Sequence, residues 1–328
     1  MLILSRKDIL SVFSMRDAIE ANKRAFILHS KGQSVVPLRV NLESGSGQYL
    51  FMPAYAGGDI DRAGLKVVSV FPGNADMGLP VVPATVLLAD GQTGMICALL
   101  EGTVLTQLRT AAVSGAATEL LARPDATVAA LFGTGGQGPS QLRALLTVRP
   151  LREVRVFDID PQRTASFVET HGAEVTEMGA RLIATSSAQE AVDGADVITS
   201  VTTSPKPVFQ AEWLKNGVHV NGVGSYTPAM QELPAELLHK ANRVFVDNRE
   251  AVLSEAGDFL NPIKEGLFTE DRVDGELGEL LLGKVPGRRS PQESTVMKTV
   301  GFATLDVVAA HEIYEKALAH GIGKMVEL

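Results

Sequence analysis

The sequence has little of what several classes of protein depend on. It contains a single cysteine, Cys97, which excludes an internal disulfide and a cysteine-rich zinc site, and no His or Cys spacing predicts another metal site. Aromatic residues make up only 5% of the chain and the net charge is −8, so neither base-stacking platforms nor a basic surface for nucleic acids is expected. No apolar run approaches the roughly 18–20 residues of a membrane-spanning helix.

The composition that remains is typical of a globular protein with two domains. The 328 residues are 45% hydrophobic and 21% charged, as in soluble proteins, and the chain is too long for one ordinary core. The first residues lack the charge order and the apolar length of a signal peptide. We therefore expect a cytoplasmic protein, in a compartment where a lone thiol stays reduced.

The first third of the chain predicts an α+β arrangement. A serine caps a predicted helix over residues 15–30, and an Ala- and Leu-rich helix is predicted over about 103–122. Between them, short connections containing glycine separate candidate strands, which predicts hairpins and a mostly antiparallel sheet. These strands are residues 36–42, 49–54, 65–71, 82–89 and 95–100.

After Pro124 the pattern changes to short strands that alternate with helices, which predicts a parallel sheet. The predicted strands are residues 127–132, 154–157, 181–184, 197–202, 218–223 and 244–246. The Gly- and charge-rich segment 257–290 allows no assignment, and a last helix is predicted over about 302–319. We expect one domain over residues 121–302 and another over residues 1–120 joined by 303–328.

A glycine fingerprint follows the first strand of the alternating region. Gly133, Gly135 and Gly138 form G-x-G-x-x-G between an apolar strand and a helix, which is the context that dinucleotide binding requires. The first glycine allows a tight turn, the second lets the backbone approach a pyrophosphate, and the third lets the helix lie close to the sheet. The alternative is a loop that only closes an α/β turn. We predict an α/β protein with a Rossmann-type, doubly wound parallel sheet.

An acidic residue ends the next strand, about twenty residues further on. Asp158 directly follows the strand, and Asp160 is the alternative. A carboxylate here would bind the adenosine ribose hydroxyls and repel a 2′-phosphate. No arginine follows at once to accept such a phosphate, although Arg163 is near. We therefore predict NAD(H) in preference to NADP(H).

Three basic residues of the first domain lie among apolar or small neighbours. Arg39 and Lys66 fall in predicted strands, and Arg109 falls in the helix over 103–122. A planar guanidinium suits a carboxylate, and a lysine near other cations can exchange protons near neutral pH. The alternatives are that Arg39 and Lys66 are solvent-exposed charges that keep edge strands from pairing with other chains, and that Arg109 is a charge on a helix surface.

Together these residues resemble the ornithine cyclodeaminase/mu-crystallin family over nearly the whole chain. The motifs that carry the resemblance are Val36-Pro37-Leu38-Arg39, Met52-Pro53, Lys66, Phe71-Pro72-Gly73-Asn74, Gly78-Leu79-Pro80, Leu88-Ala89-Asp90, Thr93-Gly94, residues 105–112 and Gly133-Thr134-Gly135-Gly136-Gln137. The resemblance implies that the first domain, with the last helix, binds substrate and forms a homodimer through its sheet. It also implies that Arg39, Lys66 and Arg109 hold a substrate carboxylate and that Lys66 is the leading proton donor.

The resemblance further implies cofactor contacts from Thr110, Gln137 and the turn over residues 133–138. The full cofactor-binding set that we predict is Arg109, Thr110, Gly133, Thr134, Gly135, Gly136, Gln137, Gly138, Asp158, Thr202 and Val223.

One turn departs from the pattern of the family's cyclodeaminases. These enzymes carry an Asp at the position of Tyr226, in Gly224-Ser225-Tyr226-Thr227-Pro228, and a Glu near Leu50. Oxidation of an amino acid needs a base for the ammonium group, and a phenol with a pKa near 10 serves poorly. Turns of the type Gly-Ser-aromatic-Thr-Pro resemble those of the family's ketimine and Δ1-pyrroline-2-carboxylate reductases. Tyr226 either acts in catalysis or only packs on the next helix.

These observations predict NAD(P)H-dependent reduction of a cyclic or N-substituted α-imino acid to the L-amino acid. The alternatives are reductive amination of a 2-oxo acid as in the family's alanine dehydrogenases, cyclodeamination of ornithine or lysine, and non-catalytic ligand binding as in the mu-crystallins. The predicted partners are a small carboxylate-bearing imine or amino acid and a second copy of the chain.

Overall fold

The computed structural model describes residues 1–327, and the chain divides into two compact units. The first unit comprises Met1–Arg109 and the segment from Phe302 onward, and the second comprises Thr110–Gly301. The limit between domains predicted near residue 120 lies inside the helix Gly102–Leu121. Helical periodicity does not mark where a chain passes from one core to another. Leu328, which ends the predicted first domain, lies outside the described residues.

The helices and strands are numbered in chain order. The strands are β1 (Leu2–Leu4), β2 (Ser34–Val35), β3 (Val40–Ser44), β4 (Gly47–Ala56), β5 (Arg62–Val70), β6 (Ala84–Asp90), β7 (Ile96–Glu101), β8 (Val128–Phe132), β9 (Glu153–Phe157), β10 (Arg181–Ala184), β11 (Val197–Ser200), β12 (His219–Gly222), β13 (Arg243–Val246), β14 (Gly275–Glu276), β15 (Thr295–Lys298) and β16 (Lys324–Met325). The helices are α1 (Arg6–Val12), α2 (Met15–Ser30), α3 (Gly102–Leu121), α4 (Gly138–Val148), α5 (Pro161–Glu177), α6 (Ala188–Val192), α7 (Ala235–Lys240), α8 (Arg249–Glu255), α9 (Gly257–Lys264), α10 (Leu277–Leu281) and α11 (Ala303–His320). Among residues 1–327, no helix is long and apolar enough to cross a membrane.

The first unit contains a mixed, mostly antiparallel sheet with the order β16-β1-β7-β6-β5-β4-β2, and β3 also pairs with β4. Strands β4 to β7 pair successively as antiparallel neighbours, as the short connections predicted. One predicted strand, residues 36–42, is wrong over residues 36–39, because β2 ends at Val35 and β3 begins at Val40. Pro37 lies between them and has no N–H to give to a sheet ladder, so Arg39 lies in a connection rather than in a strand.

The last helix, α11, packs on β4 and β5 and on α2 within the first unit. A glycine in β5 permits this approach. A Cβ atom on Gly64 would lie 2.8 Å from Val307 Cγ2 of α11 and 3.0 Å from Leu87 O of β6. Any larger residue at position 64 would displace the helix or the neighbouring strand.

The second unit contains a parallel sheet with the order β10-β9-β8-β11-β12-β15-β13-β14. Alternate residues of β8 enter two different cores: Ala129 and Leu131 belong to one, and Ala130 and Phe132 to the other. Such burial on both faces is expected for a parallel sheet covered by helices. The order of the chain along the sheet reverses between β8 and β11, as in dinucleotide-binding folds, and the predicted fold class is confirmed.

The segment that allowed no assignment contains α9, β14 and α10. Pro262 lies inside α9, and β14 is only two residues long, so neither gives a clear periodic signal. We also missed β15, which inserts between β12 and β13. Its residues Thr295 and Lys298 are polar yet fully buried, so the strand lacks the apolar pattern by which buried strands are recognised.

Candidate active site

Lys66 is buried in the middle of the sheet of the first unit. It lies on β5 opposite Met52 of β4 and Val86 of β6, and only 1% of its surface is exposed. Lys66 is therefore not a solvent-exposed charge on an edge strand, because β5 pairs with a strand on both sides. A lysine at such a position needs a partner for its charge.

The partner of Lys66 is a carboxylate that it shares with Arg109. Lys66 Nζ donates to Asp306 Oδ1 and Oδ2 at 2.9 and 2.8 Å, and Arg109 Nε donates to Oδ1 at 2.8 Å. Arg109 is 6% exposed and Asp306 is 1% exposed, so Arg109 is not a charge on a helix surface. Asp306 lies on α11, and our sequence analysis did not identify it. We call Lys66, Arg109 and Asp306 the buried charge cluster.

Burial is the largest cause of a pKa of about 7 for Lys66, lowered from 10.5. The positive charges of Arg109 and Arg39 lower this pKa further, and Asp306 opposes the change. Burial acts against the charge of Asp306 as well, but Arg109 and Lys66 hold the pKa of its carboxyl group below the usual value. Lys66 can therefore exchange a proton near neutral pH while Asp306 stays ionised.

The buried charge cluster carries more positive than negative charge. Lys66 and Arg109 share the single carboxylate of Asp306, and Arg39, half-buried in the connection between β2 and β3, lies close enough to act on the pKa of Lys66. Among residues 1–327, the Nη1 and Nη2 atoms of Arg109 have no hydrogen-bond acceptor. Buried positive charge in excess is costly unless an anion binds there. The arrangement is suited to a ligand carboxylate.

The second unit positions the predicted glycine turn between β8 and α4. Gly133 has φ of +95°, and a Cβ atom there would lie 2.7 Å from Val201 O, so only glycine fits. A Cβ atom on Gly138 would lie 2.9 Å from Gly133 O and 3.1 Å from Phe167 Cε2 of α5, so the third glycine permits close packing of the helix. Gly135 is different, because a Cβ atom there would meet nothing closer than Arg163 Nη2 at 3.7 Å.

The turn has the properties that a bound dinucleotide requires. The space beside Gly135 leaves its backbone open to a phosphate. The side-chain oxygen Oε1 of Gln137 is buried and has no hydrogen-bond partner among residues 1–327, so it can accept a hydrogen bond from a ligand. Gly136 is exposed in the same turn. These features fit a dinucleotide cofactor better than a loop that only connects a strand to a helix.

The two candidate acids after β9 have different structural roles. Asp158 Oδ2 accepts hydrogen bonds from Thr134 N at 2.9 Å and Thr134 Oγ1 at 2.8 Å. Burial opposes the charge of Asp158, but these bonds hold its pKa below the usual value. Asp160 instead caps α5, where its side chain accepts from the N–H groups of Gln162 and Arg163. Asp158 is thus the carboxylate attached to the glycine turn, as its position after the strand indicated.

The turns after β11 and β12 are joined by a buried glutamate that the sequence analysis missed. Glu232 accepts hydrogen bonds from the backbone N–H groups of Thr202, Gly224 and Ser225. Val223 directly precedes Gly224, and its N–H group donates to Ser200 O of β11. Two predicted cofactor-binding residues, Thr202 and Val223, therefore lie at the carboxyl ends of adjacent parallel strands. In open α/β sheets, ligands bind at this edge.

A second buried carboxylate supports Glu232. Asp258 Oδ1 accepts from the backbone N–H groups of Glu232 and Leu233, and Asp258 Oδ2 lies 2.8 Å from Lys298 Nζ. Burial raises the pKa of Glu232 to about 6; the charge of Lys298 opposes this change and that of Asp258 adds to it. The network fixes the backbone of the turn that precedes Tyr226.

Of the remaining predicted residues, Tyr226 is half-buried in the turn that begins at Gly224, and Thr110 is half-buried in α3 directly after Arg109. The first unit thus brings Lys66 and Arg109 together with Arg39 nearby. The second unit brings together the glycine turn and Asp158.

Comparisons with known proteins find relatives over nearly the whole chain. The model of the ornithine cyclodeaminase/mu-crystallin family matches residues 1–321. A Δ1-pyrroline-2-carboxylate reductase of Bacillus cereus is 37% identical over 329 residues, which cover 100% of both chains. The solved structure of Thermococcus litoralis Δ1-pyrroline-2-carboxylate reductase with NADH and L-proline is 39% identical, with a TM-score of 0.94 over 99% of this chain and 100% of that chain.

An archaeal alanine dehydrogenase, solved as a dimer with bound NAD, is 34% identical, with a TM-score of 0.92 over 100% of this chain and 99% of that chain. The relatives therefore include reductases that act on imines and enzymes that act on an amino acid. The resemblance inferred from the motifs is confirmed: the chain belongs to the ornithine cyclodeaminase/mu-crystallin family.

Proposed function

We propose that this protein reduces a cyclic or N-substituted α-imino acid of the Δ1-pyrroline-2-carboxylate type to the L-amino acid, with NAD(P)H as the reductant. The buried charge cluster carries this proposal, because it combines an excess of positive charge with a lysine whose pKa is about 7. The similarity to the B. cereus and T. litoralis reductases over the whole chain supports the same substrate class.

The residues of the first unit bind the substrate and move its proton. The guanidinium groups of Arg39 and Arg109 bind the substrate carboxylate, since planar guanidinium groups suit a carboxylate and the Nη atoms of Arg109 have no other acceptor among residues 1–327. The Lys66 ammonium donates a proton to the imine nitrogen, and with a pKa near neutrality it is acidic enough to do so. Lys66 then regains a proton from water.

The second unit holds the reductant. The turn from Gly133 to Gly138 would bind the pyrophosphate, and Asp158 would bind the adenosine ribose. When bound, the reduced nicotinamide would supply a hydride to the imine carbon while the proton goes to the nitrogen, so that the C=N double bond becomes a C–N single bond with one new C–H and one new N–H bond. The Asp158 carboxylate, fixed by Thr134, favours NAD(H) over NADP(H), because a 2′-phosphate would face a negative charge.

Two positions make cyclodeamination less favourable than imine reduction. Tyr226 offers only a phenol for the substrate ammonium, and Leu50 is a buried apolar residue with no carboxylate. A second candidate function is reductive amination of a 2-oxo acid, which the similarity to the archaeal alanine dehydrogenase favours. Both reductions use the same carboxylate-binding arginines and the same proton donor.

The proposal includes a homodimer in the cytoplasm. Apolar side chains of the first unit are exposed on β2, β3 and β4, among them Val35, Val40, Leu42 and Tyr49. A second copy of the chain would cover such a surface, and the archaeal relative is a dimer. A single cysteine suits a reducing compartment.

The test is oxidation of NADH and of NADPH by the purified protein with a panel of substrates. We expect turnover with Δ1-pyrroline-2-carboxylate or Δ1-piperideine-2-carboxylate, faster with NADH, and formation of L-proline or L-pipecolate. Faster turnover with pyruvate plus ammonia would establish the second function instead, and release of ammonia from ornithine or lysine would establish cyclodeamination. Lys66→Met should abolish turnover, whereas Lys324→Met, which removes an exposed lysine of the same unit, should not.

A further inference from the structure

Asp306 is not needed to bind a substrate carboxylate, since an anion would be repelled by it. It nevertheless occupies the centre of the buried charge cluster, with both carboxylate oxygens bonded to Lys66 Nζ and one also bonded to Arg109 Nε. An apolar residue at this position would leave Lys66 and Arg109 buried without a partner for their charges, which is strongly destabilising. Asp306 thus balances charge, and because it contacts both the proposed proton donor and a proposed substrate-binding arginine, its geometry also bears on the reaction.

We propose that Asp306 is a positioning residue for the reduction: it holds Lys66 Nζ and Arg109 Nε on one anion and favours the ammonium form of Lys66 between turnovers. This inference rests on the proposed function, because it assigns the proton donor of that reaction its partner.

The hydrogen-bond geometry supports the positioning role. An ammonium group has three N–H donors, and the two oxygens of Asp306 accept two hydrogen bonds from Lys66 Nζ. One N–H group is left to point at a substrate atom. Arg109 uses only Nε for Asp306, which leaves its Nη atoms for the substrate carboxylate. A single carboxylate thereby orients the proton donor and a substrate-binding cation.

The charge of Asp306 supports the second part of the role. Burial and the two arginines all favour the neutral amine of Lys66, and among the causes acting on this lysine only Asp306 favours the ammonium form. Without Asp306, Lys66 would release its proton at lower pH and would fail to regain it from water at neutral pH. The donor would then be missing at the start of each turnover.

The decisive variant is Asp306→Asn, which keeps the shape of the side chain and removes its charge. We expect the alkaline limb of the pH profile of kcat for imine reduction to move down by about 1–3 pH units. Above that limb, kcat should fall about tenfold for each unit of displacement, and at acidic pH the variant and the wild type should converge. Asp306→Glu, which retains the charge, should restore the limb to a position near that of the wild type.

Asp90→Asn is a matched control, since Asp90 forms an ion pair with Arg62 in the same unit and belongs to neither proposed binding site. It should leave the limb unchanged. An Asp306→Asn variant that loses the same fraction of activity at every pH would overturn the proposal, because a merely structural role would have that effect. If the wild type does not reduce imines at all, the proposed function is wrong. If the wild type reduces imines but the alkaline limb of Asp306→Asn lies at the wild-type position, only the role of Asp306 is contradicted.

A second measurement covers the case in which Asp306→Asn does not fold. In the wild-type protein without cofactor, the ¹³C signal of the Asp306 carboxyl group should change as Lys66 titrates near pH 7, because the two groups are in contact. The signal is assigned by its loss in Asp306→Glu. A carboxyl signal that stays constant through that pH range would refute the coupling on which the proposal depends.

Discussion

Replacement of Lys66 by Met tests the unusual protonation of this residue through folding stability. A lysine with a pKa of about 7 in the folded state and 10.5 otherwise binds its proton more tightly when unfolded. The stability it contributes is therefore present at high pH and is lost as the pH falls toward 7. The difference between 10.5 and about 7 corresponds to about 5 kcal/mol at about 1.4 kcal/mol per unit. Between about pH 7 and pH 9, the wild type should gain about 2 kcal/mol relative to Lys66→Met.

Hydrogen exchange read by mass spectrometry on peptides from β4 and β5 measures the opening free energy of the first unit. Wild type and variant are compared at the same pH, so that the intrinsic dependence of exchange on pH cancels. Lys324→Met controls for the loss of a lysine charge, and the fluorescence of Trp213, the single tryptophan, reports on the second unit. An identical difference between wild type and Lys66→Met at both pH values would show that Lys66 keeps an ordinary pKa, and the argument for a neutral-pH proton donor would be refuted.

Three further predictions concern packing and the cofactor turn. Gly64→Ala places a Cβ atom 2.8 Å from Val307 Cγ2, so we expect the free energy of unfolding, measured by heat or urea, to fall by about 1–3 kcal/mol. Gly73→Ala is the control and should leave stability unchanged, because a Cβ atom there meets nothing within 4 Å. Equal effects of the two variants would contradict the close approach of α11. Gly135→Ala should leave the melting temperature of the cofactor-free protein unchanged, because a Cβ atom has room there. It should weaken dinucleotide binding, measured by calorimetry, at least about tenfold. An unchanged affinity would exclude contact between this backbone segment and the cofactor. Glu232→Gln places an amide N–H donor against at least one of three buried backbone N–H groups. It should therefore lower the free energy of unfolding by about 1–3 kcal/mol and weaken dinucleotide binding. A variant with the melting temperature and affinity of the wild type would show that Glu232 does not hold these turns.

The parts of the site that could be predicted depend on residues close together in the sequence. The strand, the glycines and the helix start lie within a few residues of one another, and both the positive φ of Gly133 and the close approach of Gly138 to Gly133 O belong to this local turn. Lys66 and Arg109 could be recognised because a charge among apolar or small neighbours is unusual wherever it occurs. In the same way, the alternation of strands and helices was enough to predict the parallel sheet.

Asp306 could not be predicted, because its partners Lys66 and Arg109 are 240 and 197 residues away along the chain. Locally it is an acidic residue in the first turn of a helix, where acids are common for reasons unrelated to catalysis. Glu232 was missed for the same reason, since the backbone groups that it binds come from two turns that only the folded sheet brings together. Long-range partners leave no local pattern.

The position of α11 at the far end of the chain has a consequence for biosynthesis. Lys66 leaves the ribosome long before Asp306, and the whole of the second unit is made between them. Until α11 packs beside Gly64, the sheet of the first unit lacks this covering helix, and Lys66 and Arg109 lack the Asp306 carboxylate. Contacts so distant in sequence form late, because a long loop must close first. The second unit is therefore complete in the nascent chain before the buried charge cluster can form, and a polypeptide that ends before α11 would lack Asp306.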